Sequence, residues 1–328
     1  MDRPRLTLII PVFNEEAVIP ELHQRLHSAS RSWPEVGDNW EVLFINNDSQ
    51  DSTLKQLRRL AGEEPRYKII SFSRNFGHQM SITAGLDRAD GEAIVIMDAD
   101  LQDPPEVIGE MLVRWRQGFD VVYGVRKKRF GETIFKRATA AIFYRVLRAM
   151  LGGVSIPTDA GDFRLMGRPV VLAMRALRER HRFVRGMVAW VGFKQTAVYY
   201  DRPGRFAGET KYPLSEMVRF ALDGITSFSV VPLRFATWLG VFSGFVAVAT
   251  AAWALFQRFH GTGMVAGWTT IMIVVAMGSS AQLLMTGVLG EYVGRIYEEI
   301  KRRPLYIVAE EINIRRDEAP PNSSSDVR

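Results

Sequence analysis

Apolar and polar residues alternate along the first part of the chain in blocks that predict strands and helices in turn. Short apolar runs are typical of buried strands, and the longer amphipathic stretches between them are typical of helices. Strands are predicted at 6–10, 40–45, 67–72, 93–97 and 120–125, and helices at 15–28, 52–61, 78–88 and 104–117. This alternation indicates an α/β fold, with a mostly parallel sheet and helices on both of its faces.

Two apolar runs later in the chain have a different pattern. No charged residue occurs in 235–256 or in 268–289, and each run is 22 residues long. A helix of that length spans about 33 Å, which matches a bilayer core of about 30 Å. The sequence therefore predicts two transmembrane helices, with two buried helices of a large soluble domain as the alternative. Basic residues outside the pair, such as Arg234 and Arg295, place both long flanks in the cytoplasm by the positive-inside rule.

Composition adds a local excess of positive charge. The 328 residues include 42 Lys or Arg, 36 Asp or Glu and no Cys, so the formal net charge is +6. The lack of Cys excludes a disulfide framework, Cys-ligated metal centres and thiol nucleophiles. Between Arg126 and Arg148 eight basic residues stand against one acidic residue, which gives this segment +7 and leaves −1 for the rest. A basic amphipathic helix over 133–151 is predicted to face a membrane surface or a phosphate, with an ordinary solvated helix as the alternative.

Polar loops follow three of the predicted strands, at the edge where open α/β sheets bind ligands. The loops are 11–16, 46–51 and 98–103, and Asp51 and Asp103 are predicted to cap the helices that follow. Asp98 and Asp100 lie one residue apart at the end of a buried strand, where they repel each other unless a cation neutralises them. Carboxylate oxygens select Mg²⁺ or Mn²⁺, so this loop predicts a divalent metal site that is shared with substrate phosphates.

Signatures of several other enzyme classes are absent from the sequence. It contains no G-x-x-x-x-G-K-[ST] loop, no G-x-G-x-x-G after the first strand, no H-E-x-x-H and no G-x-S-x-G elbow. These absences argue against a P-loop nucleotidase, a Rossmann dehydrogenase and a zincin. Nucleic-acid binding is not expected either, because the basic segment lies beside helices that face a membrane.

Three motifs resemble those of the inverting glycosyltransferases of family 2. They are Leu-Ile-Ile-Pro-Val-Phe-Asn-Glu over 8–15, Asp-Ala-Asp-Leu-Gln-Asp-Pro-Pro-Glu over 98–106 and Asp-Phe-Arg-Leu over 162–165. More narrowly, they are similar to those of the polyprenyl-phosphate sugar synthases, the group of dolichol-phosphate mannose synthase and bactoprenol glucosyltransferase. The similarity covers nearly the whole chain, including 205–212 and the two apolar runs. It implies a GT-A-like fold.

The resemblance implies which residues bind the sugar donor. The nucleotide base and ribose would be lined by residues of the first two loops: Pro11, Phe13, Glu15, Asn47 and Ser49. Asp98, Asp100 and Gln102 would hold the divalent metal on the donor diphosphate. Arg205 and Lys211 would lie on a mobile loop that closes over the same diphosphate.

The resemblance also implies the acceptor side of the site. Arg126 and Arg137 would bind the phosphate of a lipid acceptor. Asp159 or Asp162 would lie close to the reacting centre, while the alternative for Asp162 is a helix cap or an ion-pair partner of Arg164.

One motif departs from the family pattern. The second loop usually reads Asp-Asp-Gly-Ser in such enzymes, and here it reads Asn46-Asn47-Asp48-Ser49. An amide can still hydrogen-bond a base or a ribose but adds no charge, so the resemblance identifies the fold more firmly than the nucleotide base. His78 is expected to be a surface residue at a helix start rather than a base.

The expected reaction is metal-dependent transfer of one sugar, with glucose from UDP-glucose as the leading expectation, to polyprenyl (undecaprenyl) phosphate with inversion. A lipid monophosphate has a second pKa of about 6, by analogy with phosphoserine, so its oxygen is ionised at neutral pH and needs no general base. Cations are needed instead to bring two anions together. The alternatives are a mannose synthase that uses GDP-mannose and a catalytically impaired lipid-binding scaffold. A processive polysaccharide synthase is not expected, since the chain has no Gln-x-x-Arg-Trp motif.

Four parts are therefore expected along the chain. They are a cytoplasmic catalytic domain over 1–212, a juxtamembrane amphipathic helix over 213–232, two transmembrane helices with a short external loop over 233–293, and a cytoplasmic strand with a disordered tail over 294–328. The expected location is the bacterial inner membrane, with membrane lipids as partners. The resemblance also implies a homotetramer, in which the strand at 305–314 pairs with a neighbouring chain.

Overall fold

The computed structural model describes residues 4–34, 36–126, 160–201, 231–259 and 267–314. The chain divides into two units, and the first is built around one mixed β-sheet. This unit comprises Met1–Val218 with Pro304–Arg328, and the second unit comprises Arg219–Arg303. The sheet's eight strands in the described residues are β1 Leu6–Val12, β2 Trp40–Asn46, β3 Tyr67–Phe72, β4 Ala93–Ile96, β5 Val121–Arg126, β6 Ala160–Gly167, β7 Gln195–Tyr200 and β8 Val308–Ile312. Their order across the sheet is β7-β5-β6-β4-β1-β2-β3-β8.

The centre of the sheet is parallel and its two sides are mixed. β1 pairs in parallel with β2 and with β4, and β2 pairs in parallel with β3. β6 runs antiparallel between β4 and β5, β7 is parallel to β5, and β8 is antiparallel to β3. The expected α/β fold is therefore confirmed. The sheet is mixed because β6 and β8 run antiparallel to their neighbours, and β6 was not predicted.

Helices cover both faces of the sheet, as expected. They are α1 Ile19–Ser30, α2 Thr53–Glu63, α3 His78–Arg88, α4 Ile108–Arg116, α5 Arg168–Ala176 and α6 Val184–Trp190. Successive residues of a strand point to opposite faces, so Leu8 and Ile10 belong to the core beneath α1, α2 and α4. Ile9 points to the other face, where α3 packs.

Two predicted helix caps differ from the structure. A 3₁₀ turn, Pro105–Val107, precedes α4, and its N-cap position is Pro104, which makes no side-chain capping bond. Asp103 therefore does not occupy the N-cap position, and its Oδ1 accepts a hydrogen bond from the Tyr200 hydroxyl at 2.6 Å. Asp51 lies one residue before the N-cap of α2 and still accepts a bond from the amide of Thr53, the first residue of that helix, at 3.0 Å.

α3 lies unusually close to the sheet. A β-carbon at Gly85 would overlap the side chain of Ile9 in β1, so only glycine permits this approach. The close packing fixes α3 along the sheet. Its first residue, His78, lies beside Asp98 at the end of β4, with 3.6 Å between His78 Nε2 and Asp98 Oδ1.

The strand predicted at 305–314 is present as the shorter β8, Val308–Ile312, and it pairs with β3 of its own chain. Glu310 of β8 forms an ion pair with Arg58 of α2 at 2.6 Å. Glu311 forms another with Arg88 of α3 at 2.7 Å. The C-terminal strand therefore forms one edge of the sheet and is held to two of its helices.

Two long helices, α7 Val231–Phe259 and α8 Gly267–Ile300, make up the described part of the second unit. Large apolar side chains are exposed along both helices, and Trp238, Phe245 and Leu283 are 71%, 72% and 73% exposed. Within the residues that the structure describes, no helix combines the length and the apolar character needed to cross a membrane.

Three predicted segments lie outside the described residues. They are the basic helix over 133–151, the juxtamembrane helix over 213–232 apart from its last two residues, which belong to the helix Val231–Phe259, and the tail after 314. The expected division into four parts stays a prediction there. The structure assigns the residues from Pro304 onward to the unit that contains the sheet.

Candidate active site

Loops at one edge of the sheet form the candidate site. The loops after β1, β2 and β4 leave the sheet at the same edge because these strands are parallel. β6 runs in the opposite direction, so its beginning lies at that edge too. Ile96 of β4 pairs with Arg164 of β6 at the last paired position, and just beyond it His78 Nε2 lies 3.6 Å from both Asp98 and Asp162.

Hydrogen bonds in both directions join the loops that follow β1 and β2. The amide of Asn14 donates to Oγ of Ser49 at 3.0 Å, and the amide of Gln50 donates to Oδ1 of Asn14 at 2.8 Å. The amide of Glu15 donates to Oγ1 of Thr53 at 2.9 Å. The two loops therefore form one fixed surface at the edge of the sheet.

The predicted nucleotide-pocket residues do not all belong to that surface. Phe13, Glu15 and Ser49 are partly exposed in the two joined loops, as predicted for residues that meet a ligand. Pro11 is buried inside β1, where it pairs with Ile45, so it supports the loop from below.

Asn47 is buried, and both polar atoms of its side chain are bonded within the chain. Its Nδ2 donates to Oδ1 of Asn75 at 2.9 Å, and its Oδ1 accepts a bond from the amide of Phe76 at 2.8 Å. Its neighbour Asn46 is equally buried and donates to Oγ of Ser71 at 2.8 Å. These contacts tie the loop after β2 to the loop after β3, a use that differs from the predicted nucleotide contact.

The predicted metal ligands lie together in the loop after β4. The amide of Gln102 donates to Oδ1 of Asp100 at 3.1 Å, which closes a tight turn. Desolvation raises the pKa of Asp98, and although His78 opposes this, the negative charges of Asp162 and Asp100 raise the pKa further. A cation next to these carboxylates would relieve the repulsion between them.

The donor set fits Mg²⁺ or Mn²⁺ rather than a metal held by protein alone. In the described part of the chain, no three or more His, Asp or Glu side chains are arranged to hold a metal ion. Mg²⁺ typically takes one or two carboxylates and completes its shell with waters and substrate phosphates. Asp98 and Asp100, with the amide group of Gln102 nearby in sequence, match that requirement.

A charged cluster lies beside the loop that carries the predicted metal ligands. His78 Nε2 is 3.6 Å from Oδ1 of Asp98 and 3.6 Å from Oδ2 of Asp162. Arg185 of α6 binds both oxygens of Asp162, with its Nε at 2.9 Å and its Nη2 at 3.1 Å. The side chain of Asp162 is 6% exposed, so this carboxylate is buried between the guanidinium of Arg185 and the imidazole of His78.

These partners determine the protonation of the cluster. Burial alone would raise the pKa of Asp162, but the charge of Arg185 and hydrogen bonds from His78 and Arg185 hold that pKa well below its ordinary range. Burial lowers the pKa of His78, but the hydrogen bond to Asp162 and the charges of Asp98 and Asp162 raise it overall. Asp162 is therefore an ionised anchor and a poor proton acceptor.

Arg164 is not the partner of Asp162 that the sequence suggested. Its guanidinium donates to the carbonyl oxygen of Gly161 at 2.7 Å. Burial lowers the pKa of Arg164 to about 10, and the charge of Asp162 only partly offsets this. The bidentate partner of Asp162 is Arg185, which is distant in sequence.

A second cluster surrounds Arg126 at the end of β5. A β-carbon on Gly161 would lie 3.3 Å from the Arg126 guanidinium, so the side chain runs close to the start of β6. Burial and the charge of Asp103 raise the pKa of Tyr200, while a hydrogen bond with Arg126 opposes the rise. Nε of Arg126 is buried and has no hydrogen-bond partner among the described residues. This donor is therefore suited to receive an anion.

Four predicted site residues lie outside the described residues: Arg137, Asp159, Arg205 and Lys211. Their roles on the acceptor phosphate, at the reacting centre and over the donor diphosphate stay predictions.

Sequence reasoning placed His78 correctly at a helix start but expected a surface residue there, and it did not identify Arg185 and Tyr200. His78 had a usable signal, because it follows a third parallel strand and the glycine-containing turn at Gly77, and loops after parallel strands meet at one edge. Arg185 and Tyr200 had none, since their positions depend on β6, β7 and α6, which the pattern did not predict.

Comparison with known proteins agrees with this geometry. The profile of glycosyl transferase family 2 matches residues 7–173. The glycosyltransferase YkcC of Bacillus subtilis is 49% identical over 308 residues, which cover 94% of each chain. The bactoprenol glucosyl transferase of Shigella phage SfII is 39% identical over 305 residues, which cover 93% of this chain and 97% of the relative.

One solved structure that the chain matches is the mannosyltransferase of Pyrobaculum calidifontis in complex with GDP-Man and Mn²⁺. It is 18% identical, with a TM-score of 0.43 over 92% of this chain and 89% of the other. The family match and the extent of the sequence relatives confirm the resemblance inferred from the three motifs. The chain therefore belongs to glycosyl transferase family 2 and is a glycosyltransferase with a GT-A-like α/β fold.

Proposed function

We propose that this enzyme transfers a single sugar from a nucleotide sugar to polyprenyl phosphate, with UDP-glucose as donor and undecaprenyl phosphate as acceptor. The proposal rests on one contrast within the site. The buried carboxylate of Asp162 already has a bonded partner, whereas the buried Nε–H donor of Arg126 has none among the described residues. Asp162 is bound by Arg185 at 2.9 and 3.1 Å.

This arrangement favours an acceptor that is already an anion. A sugar hydroxyl would need a general base with a pKa near the working pH, and the low pKa of Asp162 makes it unsuitable for that role. A phosphate monoester has a second pKa of about 6 and needs no base. Arg126 would bind this phosphate, with Arg137 predicted to assist.

Asp98 and Asp100 would hold Mg²⁺ or Mn²⁺ with help from Gln102. When bound, the ion neutralises the charge of the leaving diphosphate. His78 and Arg185 would keep Asp162 ionised and oriented at the side of the site, and Phe13, Glu15 and Ser49 would orient the nucleotide. An in-line attack inverts the anomeric carbon, so an α-linked donor gives a β-linked lipid product.

The proposal includes a membrane location, because a polyprenyl chain resides in a bilayer. We propose that α7 and α8 insert in the bacterial inner membrane with both flanks in the cytoplasm. The charge-free runs at 235–256 and 268–289 and the basic flanks support this from the sequence alone, because the described helices do not meet the length and apolar character of a membrane span. We propose the homotetramer implied by the family resemblance as the assembly, and a mass measurement in mild detergent tests it.

A transfer assay tests the reaction. Purified protein receives radiolabelled UDP- and GDP-sugars in turn, undecaprenyl phosphate, and Mn²⁺, Mg²⁺ or EDTA, and label is counted in the organic extract. We expect metal-dependent label from UDP-glucose and at least a roughly hundredfold loss in Asp100→Asn. Glu110→Gln, an exposed acid on α4, serves as the matched control and keeps full activity.

Two other outcomes would replace parts of the proposal. Label from GDP-mannose alone would make the enzyme a polyprenyl-phosphate mannose synthase. No label from any donor, in protein that still binds the lipid, would contradict the proposal and support a lipid-binding scaffold. The substitution of Asn46-Asn47 for the usual acidic pair is the feature that favours such a scaffold.

A further inference from the structure

We infer that Asn47 is a positioning residue whose carboxamide holds the turn that aims His78 at Asp98 and Asp162. The family pattern gives this position to nucleotide binding, and the structure assigns its side chain to a different task. This role rests on the proposed function, because it concerns the same site.

The carboxamide of Asn47 connects two loops. Asn47 is 5% exposed, and its Oδ1 accepts a bond from the amide of Phe76 at 2.8 Å. Its Nδ2 donates to Oδ1 of Asn75 at 2.9 Å, and the same Oδ1 accepts a bond from the amide of Gly77 at 2.9 Å. Two side-chain amides therefore fix three consecutive residues, Asn75, Phe76 and Gly77.

The fixed turn determines where α3 begins. Gly77 has a φ of 92°, a backbone conformation that residues with a side chain rarely adopt. The amide of Ser81 donates to the Gly77 carbonyl at 3.2 Å, which starts the helix directly after the turn. His78 is the next residue, and its Nε2 lies 3.6 Å from both Asp98 and Asp162. A shift of this turn would therefore move the ring of His78 relative to both carboxylates.

The side chain of Asn47 both donates and accepts in this turn, whereas Oδ1 of Asn75 only accepts. Replacing the amide by a carboxylate should therefore have different effects at the two positions. In Asn47→Asp a second carboxylate oxygen would face Oδ1 of Asn75, and two acceptors repel each other. In Asn75→Asp the oxygen that accepts from Asn47 and Gly77 is retained. We therefore expect Asn47→Asp to be harmful and Asn75→Asp to be tolerated, although both changes are isosteric.

Kinetics separate positioning from nucleotide binding. The variants are Asn47→Ala, Asn47→Asp, Asn75→Asp, His78→Gln and the double variant Asn47→Ala/His78→Gln, assayed with varied donor and saturating lipid phosphate. We expect both Asn47 variants to lower kcat about tenfold while the donor KM changes less than about threefold. Asn75→Asp stays within about twofold of the wild type. The double variant should be no slower than its slower parent, because both changes remove the same interaction.

Three kinetic results would overturn the inference. A donor KM that rises with unchanged kcat would mean that Asn47 contacts the nucleotide. Multiplicative losses in the double variant would mean that Asn47 and His78 act independently. Equal losses in Asn47→Asp and Asn75→Asp would mean that the direction of these hydrogen bonds has no effect. Where Asn47→Ala does not fold, Asn47→Asp keeps the volume of the side chain and carries the comparison.

A second measurement keeps the inference separate from the proposed function. With isotope-labelled histidine, the imidazole NMR signal of His78 is assigned by its loss in His78→Gln. We expect this signal to move in Asn47→Asp and to keep its position in Asn75→Asp and in Glu110→Gln. A wild-type enzyme without transferase activity would contradict the proposed function, whereas an unmoved His78 signal would contradict the positioning role whether or not the enzyme is active.

Discussion

Two neighbouring side chains, those of Arg185 and His78, determine the protonation state of Asp162. Arg185 binds both of its oxygens, and His78 lies 3.6 Å away. Because these partners hold the pKa of Asp162 well below its ordinary range, the carboxylate stays ionised at neutral pH. It can orient the side chains of Arg185 and His78 but does not act as a proton acceptor. This distinguishes the site from one built around a general base.

Removing Arg185 should therefore destabilise the protein. In Arg185→Gln the buried charge of Asp162 loses its bidentate partner, and we expect the free energy of unfolding to fall by about 3 kcal/mol, as measured by urea denaturation. The double variant Arg185→Gln/Asp162→Asn should recover part of the loss, because it leaves no unpaired buried charge. A double variant that is less stable than the single one would contradict this explanation.

Stability should depend on pH through His27, which is remote from the site. Desolvation and the charge of His23 lower its pKa, Glu64 at 3.8 Å opposes this, and Arg66 lowers the pKa further. The folded-state pKa is thus below the unfolded value of about 6.5, so the unfolded chain binds the proton first as pH falls. The stability due to neutral His27 is complete above about pH 6.5 and is lost below it.

The variant His27→Gln tests this dependence. We expect its melting temperature to fall less steeply than that of the wild type between about pH 7.5 and pH 5, since one linked proton is removed. His181→Gln controls for the loss of a histidine elsewhere in the chain. Parallel curves for wild type and His27→Gln would show that another group is responsible.

Three residues of the site loops have a positive φ, and the sequence predicts this conformation for one of them. Asn14, Asp48 and Leu101 have φ values of 54°, 62° and 60°, and each lies in a different one of the three site loops. Asp48 occupies the position where the family pattern has glycine, so a left-handed conformation could be anticipated there. Leu101 has no such signal, and its conformation follows from the turn between Asp100 and Gln102.

At the scale of elements, α3 connects the site to the C-terminal strand. His78 stands at its beginning, and Asp87 near its end is bonded by Tyr306 at 2.9 Å and by Arg178 at 2.7 Å. The side chain of Asp87 is only 3% exposed, so these bonds compensate a buried charge. The segment before β8 is therefore held to the helix that carries His78.

Two variants compare the contacts that hold this segment. We expect Tyr306→Phe to lower the free energy of unfolding by about 1–2 kcal/mol, because a buried carboxylate loses a hydrogen-bond donor. Glu310→Gln removes an exposed ion pair with Arg58 and should cost less than about 1 kcal/mol. Urea denaturation measures both, and a larger effect for Glu310→Gln would reverse the assignment of the main anchor.

The predicted bounds of helices and strands agree with the structure where the residues of one segment alone determine the element. β3 and α3 were predicted with their observed bounds, because an apolar run and an amphipathic helix are both visible in sequence. α1 begins at Ile19 rather than at residue 15, since the amide of Val18 closes a turn onto the Glu15 carbonyl at 2.9 Å. β6 was not predicted because it contains charged residues such as Asp162, whose partner Arg185 is distant in sequence.

At the scale of the whole molecule, the proposed membrane insertion predicts that a charged residue introduced into α8 weakens the binding of the protein to membranes. Leu283 lies within a charge-free run and is 73% exposed. An arginine near the middle of a membrane helix costs about 3 kcal/mol, so Leu283→Arg should reduce the share of protein that stays in membranes after a carbonate wash. Ile300→Arg, beyond that run, is the matched control. Equal retention of both variants would contradict insertion of α8.

The sequence by itself determined the α/β character of the fold, the position of the acidic loop after β4 and the family. Each of these is carried by residues within one short segment, such as 8–15 or 98–106, so local pattern and motif are sufficient. Tertiary structure alone decided that Asp162 lies near Asp98, that Arg185 rather than Arg164 binds Asp162, and that the Asn47 side chain is used within the chain. Those relations depend on the antiparallel register of β6 and on contacts between loops far apart in sequence, which no local pattern encodes.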